Sequence, residues 1–218
     1  MGRVRSVVLG VVVIFLGAAA PGRADDAPPK DEKLLAELVK RIDEDQKARK
    51  QLIDLQARPG KDAEAAKKEI EAATKKMQEI DARNTAWMKE VVDKHGWPGK
   101  SLVGTDGAQK AWLLVQHADQ DRAFQKRCLP LLAAAVKKGE AGAENLAYLT
   151  DRLKVADKEK QVYGTQFHQV DGKMEPYPIE DEANVDKRRK EVCLPSMAEY
   201  RKLIEEMYKP KPKDKGGK

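Results

Sequence analysis

The chain has 218 residues, of which 36% are charged, and its formal net charge is +6. This length suits one domain with a core of its own. The positive charge belongs to the two ends, because residues 25–208 carry 34 basic and 35 acidic side chains. A nucleic-acid-binding domain is expected to present a basic face on its folded part, so this balance argues against nucleic acid as a partner.

Residues 1–24 have the organisation of a secretory signal peptide. Arg3 and Arg5 precede an apolar run of fourteen residues, 7–20, whereas a membrane-spanning helix needs about 20. Small residues before and at Ala24 suit a cleavage site, and no cysteine lies nearby to carry a lipid. We expect export to the periplasm or the outside medium, with no transmembrane segment after cleavage. An uncleaved membrane anchor is the alternative.

After a linker at residues 25–30, residues 31–95 predict a helical hairpin. A first helix is expected up to Ala57 and a second from about Asp62, with a turn at residues 58–60. The second helix places apolar residues at steps of three and four, which is typical of a coiled-coil seam. Such a short turn predicts that the two helices are antiparallel.

Polar residues interrupt the apolar faces of this hairpin. Asn84 occupies one position of the seam, and Asp45 and Arg49 continue the apolar stripe of the first helix. Residues of this kind either fix the register of packed helices or belong to a functional site, and the sequence leaves both interpretations open.

Residues 96–208 predict a helical body with one β-hairpin. Gly and Pro indicate a loop over residues 96–107, and helices are expected at 106–118, after a cap at Asp119, and at 143–154, 182–191 and 196–208. Strands are expected at 161–170 and 173–179 around an Asp171-Gly172 turn. We thus predict a mainly α-helical fold, in which the antiparallel hairpin packs on a helical domain with one small β-hairpin. The lysine-rich tail, residues 209–218, is expected to be disordered.

The tripeptide Gly99-Lys100-Ser101 resembles the end of a phosphate-binding loop. That motif requires a glycine five residues earlier, where this chain has Lys94, and a preceding strand instead of a long helix. Nucleotide binding is therefore not supported. The stretch from His95 to Pro98 is better explained as a helix end, with Gly96 in the left-handed cap conformation.

Histidines near predicted helix ends are the candidate catalytic residues. His95 and His117, with Asp119 as a partner of His117, could act as general acid and base, since imidazoles titrate near neutral pH. The absence of a Gly-x-Ser-x-Gly motif argues against an esterase-type serine enzyme. Cys128 and Cys193 lie in apolar Cys-Leu-Pro contexts that disfavour a reactive thiolate, and a disulfide between them stays open.

The candidate ligand-binding residues carry amide, phenol, carboxylate and guanidinium groups. They suit a small polar or anionic ligand, because two adjacent arginines can form a fork for a carboxylate or phosphate. The set is Gln161, Tyr163, Gln166, Arg188, Arg189, Asp151 and Arg152.

Three interpretations follow from these residues. The polar residues form a buried hydrogen-bonded network in a binding or structural protein of the cell envelope, which is the function we predict, or they serve a hydrolase or lyase-type enzyme through His95 and His117. The third interpretation is a metal site at His95, His117 and Asp119, with His168 as a further candidate. No recognisable metal-binding spacing is present, so we predict no bound metal. No cofactor or oligomeric state is indicated.

Several short motifs, in order between Leu34 and Tyr200, together resemble a bacterial family known as domain of unknown function 6624. They are Asp45-Gln46 with Arg49, Asp81, Asn84-Thr85, His95-Gly96-Trp97-Pro98, Ser101-Leu102-Val103-Gly104, Ala111-Trp112-Leu113-Leu114, Gln116-His117-Ala118-Asp119, the run from Ala147 to Arg152, Gln161, Tyr163-Gly164-Thr165-Gln166, Pro178-Ile179-Glu180-Asp181, Val185-Asp186, Arg188-Arg189 and Tyr200. The chain departs from the pattern at Cys193, where a glycine is expected. The family has no assigned activity, so the resemblance implies membership and no mechanism.

Overall fold

A computed structural model describes residues 28–57 and 63–208. The predicted signal peptide, the turn at residues 58–60 and the lysine-rich tail lie outside these described residues. Within them, no helix combines the length and the apolar character needed to cross a membrane.

The predicted helical hairpin is confirmed. Helix α1 spans Glu32–Ala57 and helix α2 spans Ala63–His95. The helices are antiparallel, because Arg41 of α1 donates to Asn84 over 3.1 Å, while Glu44, one turn further along α1, pairs over 2.6 Å with Arg83, which precedes Asn84 on α2. The central seam residues of α2 are buried, as its three- and four-residue spacing predicts.

Helix α2 ends at the predicted glycine cap, but the following loop is shorter than predicted. Gly96 has a φ of 70°, and its N–H donates to the carbonyl of Val92 over 2.9 Å. Helix α3 then spans Lys100–Gln116, with a kink at Gly104, where φ is 72°. The predicted loop over residues 96–107 is therefore wrong beyond Gly99. Gly104 bends the helix without ending it.

Helices α4 and α5 span Arg122–Lys137 and Ala143–Ala156. The cap of α4 is Asp121 instead of the predicted Asp119, since the Asp121 carboxylate accepts the N–H of Phe124. One continuous hydrophobic core joins the hairpin to the body and extends to the last helix.

The β-hairpin is shorter than predicted. Strand β1 spans Phe167–Val170 and pairs antiparallel with β2, Lys173–Pro176. The turn residues Asp171 and Gly172 both have positive φ, 49° and 82°, as the Asp-Gly pair predicts. Residues 161–166 are not part of the strand, apart from an isolated bridge between Gln161 and Ile179. They form a loop, because Asp151 binds their backbone, as described below.

The described part of the chain ends with two α-helices. A short 3₁₀ helix at Glu182–Asn184 leads into α6, Val185–Glu191, and α7 spans Met197–Tyr208. The predicted capping box of α7 is confirmed, since Ser196 N–H donates to Glu199 over 2.9 Å and Glu199 N–H donates to the Ser196 hydroxyl over 3.3 Å. Cys128 is buried and Cys193 exposed, and both are free thiols.

Candidate functional site

Four charged or titratable side chains meet where α1, α2 and the end of α3 pack together. Asp45 and Arg49 lie four residues apart on one face of α1, Asp81 lies on α2, and His117 follows the last turn of α3. Each keeps 8% or less of its surface exposed. We call these four residues the buried charge network.

The guanidinium group of Arg49 is the centre of this network. Its Nη2 donates to Oδ1 of Asp81 over 2.5 Å and to Oδ1 of Asp45 over 3.2 Å. Its Nε lies 3.2 Å from Oδ2 of Asp45 and 3.1 Å from Nδ1 of His117. Arg49 therefore links the two helices of the hairpin, and Asp45 extends the link to His117 at the end of α3.

The contacts of His117 define its tautomer. Nδ1 lies 2.9 Å from Oδ2 and 3.1 Å from Oδ1 of Asp45. A carboxylate repels a nitrogen lone pair at this distance, so Nδ1 carries the proton and donates to Asp45. In the neutral ring the lone pair is then on Nε2, and no hydrogen bond joins Nε2 to any described residue.

Burial and charge shift the pKa values within the network in different directions. Burial raises the pKa of Asp45, but His117 and Arg49 outweigh it and hold that pKa below its usual range. Burial raises the pKa of Asp81 from 3.8 to about 7; Arg49 opposes this shift and the neighbouring Asp45 adds to it. Burial, assisted by Arg49, lowers the pKa of His117. A single guanidinium group does not neutralise two buried carboxylates, so Asp81 retains its proton to near-neutral pH.

An ion pair adjoins the network at the predicted catalytic residue Asp119. Arg152 of α5 binds both of its carboxylate oxygens, with Nε 2.7 Å from Oδ1. Burial raises the pKa of Asp119, but the pairing with Arg152 gives a net downward shift. The partner of His117 is therefore Asp45, from a distant helix, while Asp119 binds an arginine.

The structure does not bring the other histidines to this place. His95 lies at the end of α2, fourteen residues after Asp81, which corresponds to about 20 Å at 1.5 Å rise per residue. His168 lies on β1 and stacks on Tyr177, with the ring centroids 4.2 Å apart. An acid–base pair of His95 and His117 therefore has no geometric support.

Asp151 organises the loop of residues 161–166. Its carboxylate accepts the backbone N–H groups of Val162, Tyr163 and Thr165 at 2.7 to 3.0 Å. The Thr165 hydroxyl donates to it as well, over 3.0 Å. Asp151 is fully buried, so this predicted ligand-binding residue uses its acceptor capacity inside the protein.

The two predicted glutamines belong to the same loop. The Gln161 side chain accepts the N–H of Gln166 over 2.8 Å and donates to the carbonyls of Gln166 and Tyr177 over 3.0 and 2.8 Å. The Gln166 amide donates to the Thr165 hydroxyl over 3.0 Å. These amides therefore hold the loop in its irregular conformation.

The two adjacent arginines of α6 also bind the backbone. Arg188 donates to the carbonyl of Val162 over 2.9 Å. Arg189 donates to the carbonyls of Tyr163 over 2.6 Å and Pro195 over 2.5 Å. The guanidinium group of Arg189 also lies over a tyrosine ring of α7. The two groups point to different partners and do not form a fork.

Metal-ligand atoms do meet in the network. One ligand atom each from Asp45, Asp81 and His117 lies within 4.8 Å of the others. The Arg49 guanidinium donates to both carboxylates. It therefore supplies the positive charge that a metal ion would bring, and it competes with a metal ion for the same carboxylate oxygens. The predicted trio of His95, His117 and Asp119 is not brought together.

Three members of the network were not among the predicted site residues. Asp45, Arg49 and Asp81 appear in the quoted motifs, and Asp45 and Arg49 share the apolar stripe of α1 at a spacing of four. Charged residues at buried positions of a helix require partners, and this signal could have identified them. That the partner is His117 depends on the packing of α3.

The fold and the buried charge network define a mainly α-helical protein whose hairpin is joined to its body through paired charges. Residues 32–213 match the family described as a family of unknown function, DUF6624. The chain belongs to this family, as its motifs predict. No curated protein and no solved structure matches it.

Proposed function

We propose that this chain is an exported, non-catalytic protein of the cell envelope, in which the buried charge network fastens the helical hairpin to the body. The observation that supports this proposal most is the central position of Arg49, whose guanidinium group donates to Asp45 and Asp81 at 2.5 to 3.2 Å, while Asp45 also accepts the Nδ1–H of His117 at 2.9 Å. The loop around Asp151 supports it as well, because most of the predicted ligand-binding groups are paired there with backbone atoms.

Export is the second part of the proposal. It is supported by the two arginines, the apolar run of fourteen residues and the small residues near Ala24. Within this proposal, the working compartment is the periplasm or the outside medium.

The accessibility of His117 separates a structural network from a catalytic one. A general base must come within hydrogen-bond distance of the substrate proton that it removes. The His117 side chain is only 7% exposed, and its Nδ1–H is bound by Asp45. These contacts favour a structural role for the imidazole over a catalytic one.

A hydrolase or lyase-type enzyme that uses His117 is the second candidate, and one observation favours it. With Nδ1 donating to a buried carboxylate, the lone pair of Nε2 is available, as in other acid–base sites built on an aspartate–histidine pair. In this candidate His117 acts with Asp45 as its orienting partner, without His95.

Chemical modification of the three histidines tests the proposal. Diethyl pyrocarbonate acylates accessible, unprotonated imidazoles, and mass spectrometry resolves the three sites. We expect His117 to react at least about tenfold more slowly than His95 and His168, because the reagent must wait for local opening. All three should react at similar rates in denaturant, which controls for intrinsic reactivity. Modification of His117 at the rate of His95 or faster in the folded protein would support the enzyme and reject the structural proposal.

A further inference from the structure

The buried charge network lies at the outer limit of the hydrophobic core. Along the hairpin this core extends as far as Ile42 on α1 and Met88 on α2. Asp45 and Asp81 lie beyond these two residues in the direction of the hairpin turn, and Arg49 binds both of their carboxylates. The core therefore stops at the network, and paired charges take its place between the two helices.

The part of the hairpin beyond the network buries few side chains. It consists of residues 50–57 of α1 and residues 63–79 of α2, which we call the distal hairpin. Within these described residues only Leu52 and Ala73 are buried, and neither belongs to the continuous core. Segments with so few buried apolar contacts open locally at a lower free-energy cost than the core does. The network is thus the last extensive contact that closes the distal hairpin.

Two carboxylates share one cation in this network. Nη2 of Arg49 lies 2.5 Å from Oδ1 of Asp81 and 3.2 Å from Oδ1 of Asp45, so a single nitrogen serves both side chains. While Asp81 is protonated, it can donate a hydrogen bond to Asp45. The network then has no net charge, because His117 is neutral. When Asp81 ionises, one negative charge is left unbalanced among residues that are 8% exposed or less.

The charged groups that surround the network already have partners. They are Arg41 with Glu37 on α1, Arg83 of α2 with Glu44 of α1, and Arg152 of α5 with Asp119 after α3. Each of these three arginines has its own acid, and the remaining titratable group that faces Asp81 is the neutral His117. Arg49 is therefore the cation that compensates Asp81, and it is shared with Asp45.

We propose that the buried charge network is a pH-sensitive switch, which closes the distal hairpin while Asp81 carries a proton and lets the distal hairpin open when that proton is lost. This inference rests on the proposed structural role of the network and adds its regulation. An exported protein meets the pH of its surroundings, so the state of the distal hairpin would follow that pH.

Hydrogen exchange measured by mass spectrometry tests the switch. Exchange is followed in peptides of the distal hairpin and corrected for the intrinsic exchange rate at each pH. Because the pKa of Asp81 is raised to about 7, we expect protection of the distal hairpin to fall at least about tenfold between about pH 6.5 and about pH 9. At the higher pH it should be at least about tenfold less protected than α5, which distinguishes local opening from global unfolding.

Asp81→Asn is the decisive variant, because its amide imitates the protonated acid, with an oxygen for Arg49 and a donor for Asp45. Its distal hairpin should show the same protection at both pH values, within about twofold. The matched control on the same helix is Asp93→Asn. Asp93 pairs with Arg127 on exposed surface, so this variant should lose protection as the unmodified protein does.

A second measurement does not need a variant. The carboxyl carbon of Asp81 is followed by NMR through the same pH range in the unmodified protein. The midpoint of its titration should coincide with the midpoint of the loss of protection in the distal hairpin. A titration midpoint in the ordinary range of aspartate, near about pH 4, would overturn the inference.

Three exchange results would also overturn it. They are constant protection of the unmodified protein, an equal fall in Asp81→Asn, and a distal hairpin as protected as α5 at the higher pH. The histidine modification experiment uses a single pH and does not depend on the switch. Slow modification of His117 with constant protection would keep the structural proposal and reject the switch, whereas fast modification of His117 would reject the structural proposal itself.

Discussion

Replacing Arg49 by methionine should lower the free energy of unfolding by about 3–5 kcal/mol, because it leaves the buried Asp45 carboxylate without its cation and removes a hydrogen-bond donor from the buried Asp81. Asp45 and Asp81 would then face each other in a site with almost no exposed surface. The measurement is urea unfolding at pH 7, followed by circular dichroism.

Arg83→Met is the matched control for this substitution. Arg83 also links the hairpin helices, through Glu44 at 2.6 Å, but both side chains are about half exposed. Exposed ion pairs contribute at most about 1 kcal/mol, so this variant should remain close to the unmodified protein. Equal losses of unfolding free energy in the two variants would show that the buried contacts of Arg49 stabilise the protein no more than an exposed ion pair does.

Replacing Asp151 by alanine should destabilise the protein by a similar amount, on the order of 3–5 kcal/mol, because buried donors left without an acceptor cost about 1–3 kcal/mol each. Three backbone N–H groups and the Thr165 hydroxyl lose their common acceptor in this variant. Asp151→Asn keeps one carbonyl oxygen as an acceptor, so its free energy of unfolding should lie between those of the unmodified protein and of Asp151→Ala. Thermal and urea unfolding measure the loss.

Asp157→Ala is the control at the end of the same helix. Asp157 pairs with Lys126 across exposed surface, so its loss should change the unfolding free energy by less than about 1 kcal/mol. A loss in Asp151→Ala no larger than in this control would mean that the loop of residues 161–166 does not depend on the buried carboxylate.

The sequence predicts the helices of this fold well, because local signals determine where they begin and end. The glycine at position 96 ends α2, and Ser196 with Glu199 begins α7, as their residue types require. The prediction fails at residues 161–166, where alternation indicated a strand. There Asp151, which lies on another element, captures three backbone N–H groups, and no local pattern carries that information.

The candidate site is only partly predictable for the same reason. The sequence points to His117, near the end of a predicted helix, but it places the partner at Asp119, two residues away. The observed partner, Asp45, is distant in sequence and depends on how α1 packs on α3. The pairing of Asp119 with Arg152 similarly requires the packing of α5 near the end of α3.

The pH dependence of unfolding in the unmodified protein and in Asp81→Asn tests most directly the claim that one guanidinium group serves two buried carboxylates. The pKa of Asp81 is raised to about 7, so its contribution to stability is present below pH 4 and is lost as the pH rises through 7. The asparagine variant lacks this loss, while Asp45 and His117 are present in both proteins. We therefore predict that Asp81→Asn gains about 1–3 kcal/mol relative to the unmodified protein between pH 5 and pH 8. An ordinary ion pair with Arg49 would lower the pKa of Asp81 below its usual value, and the difference between the two proteins would then stay constant from pH 5 to pH 8; that result would contradict the account.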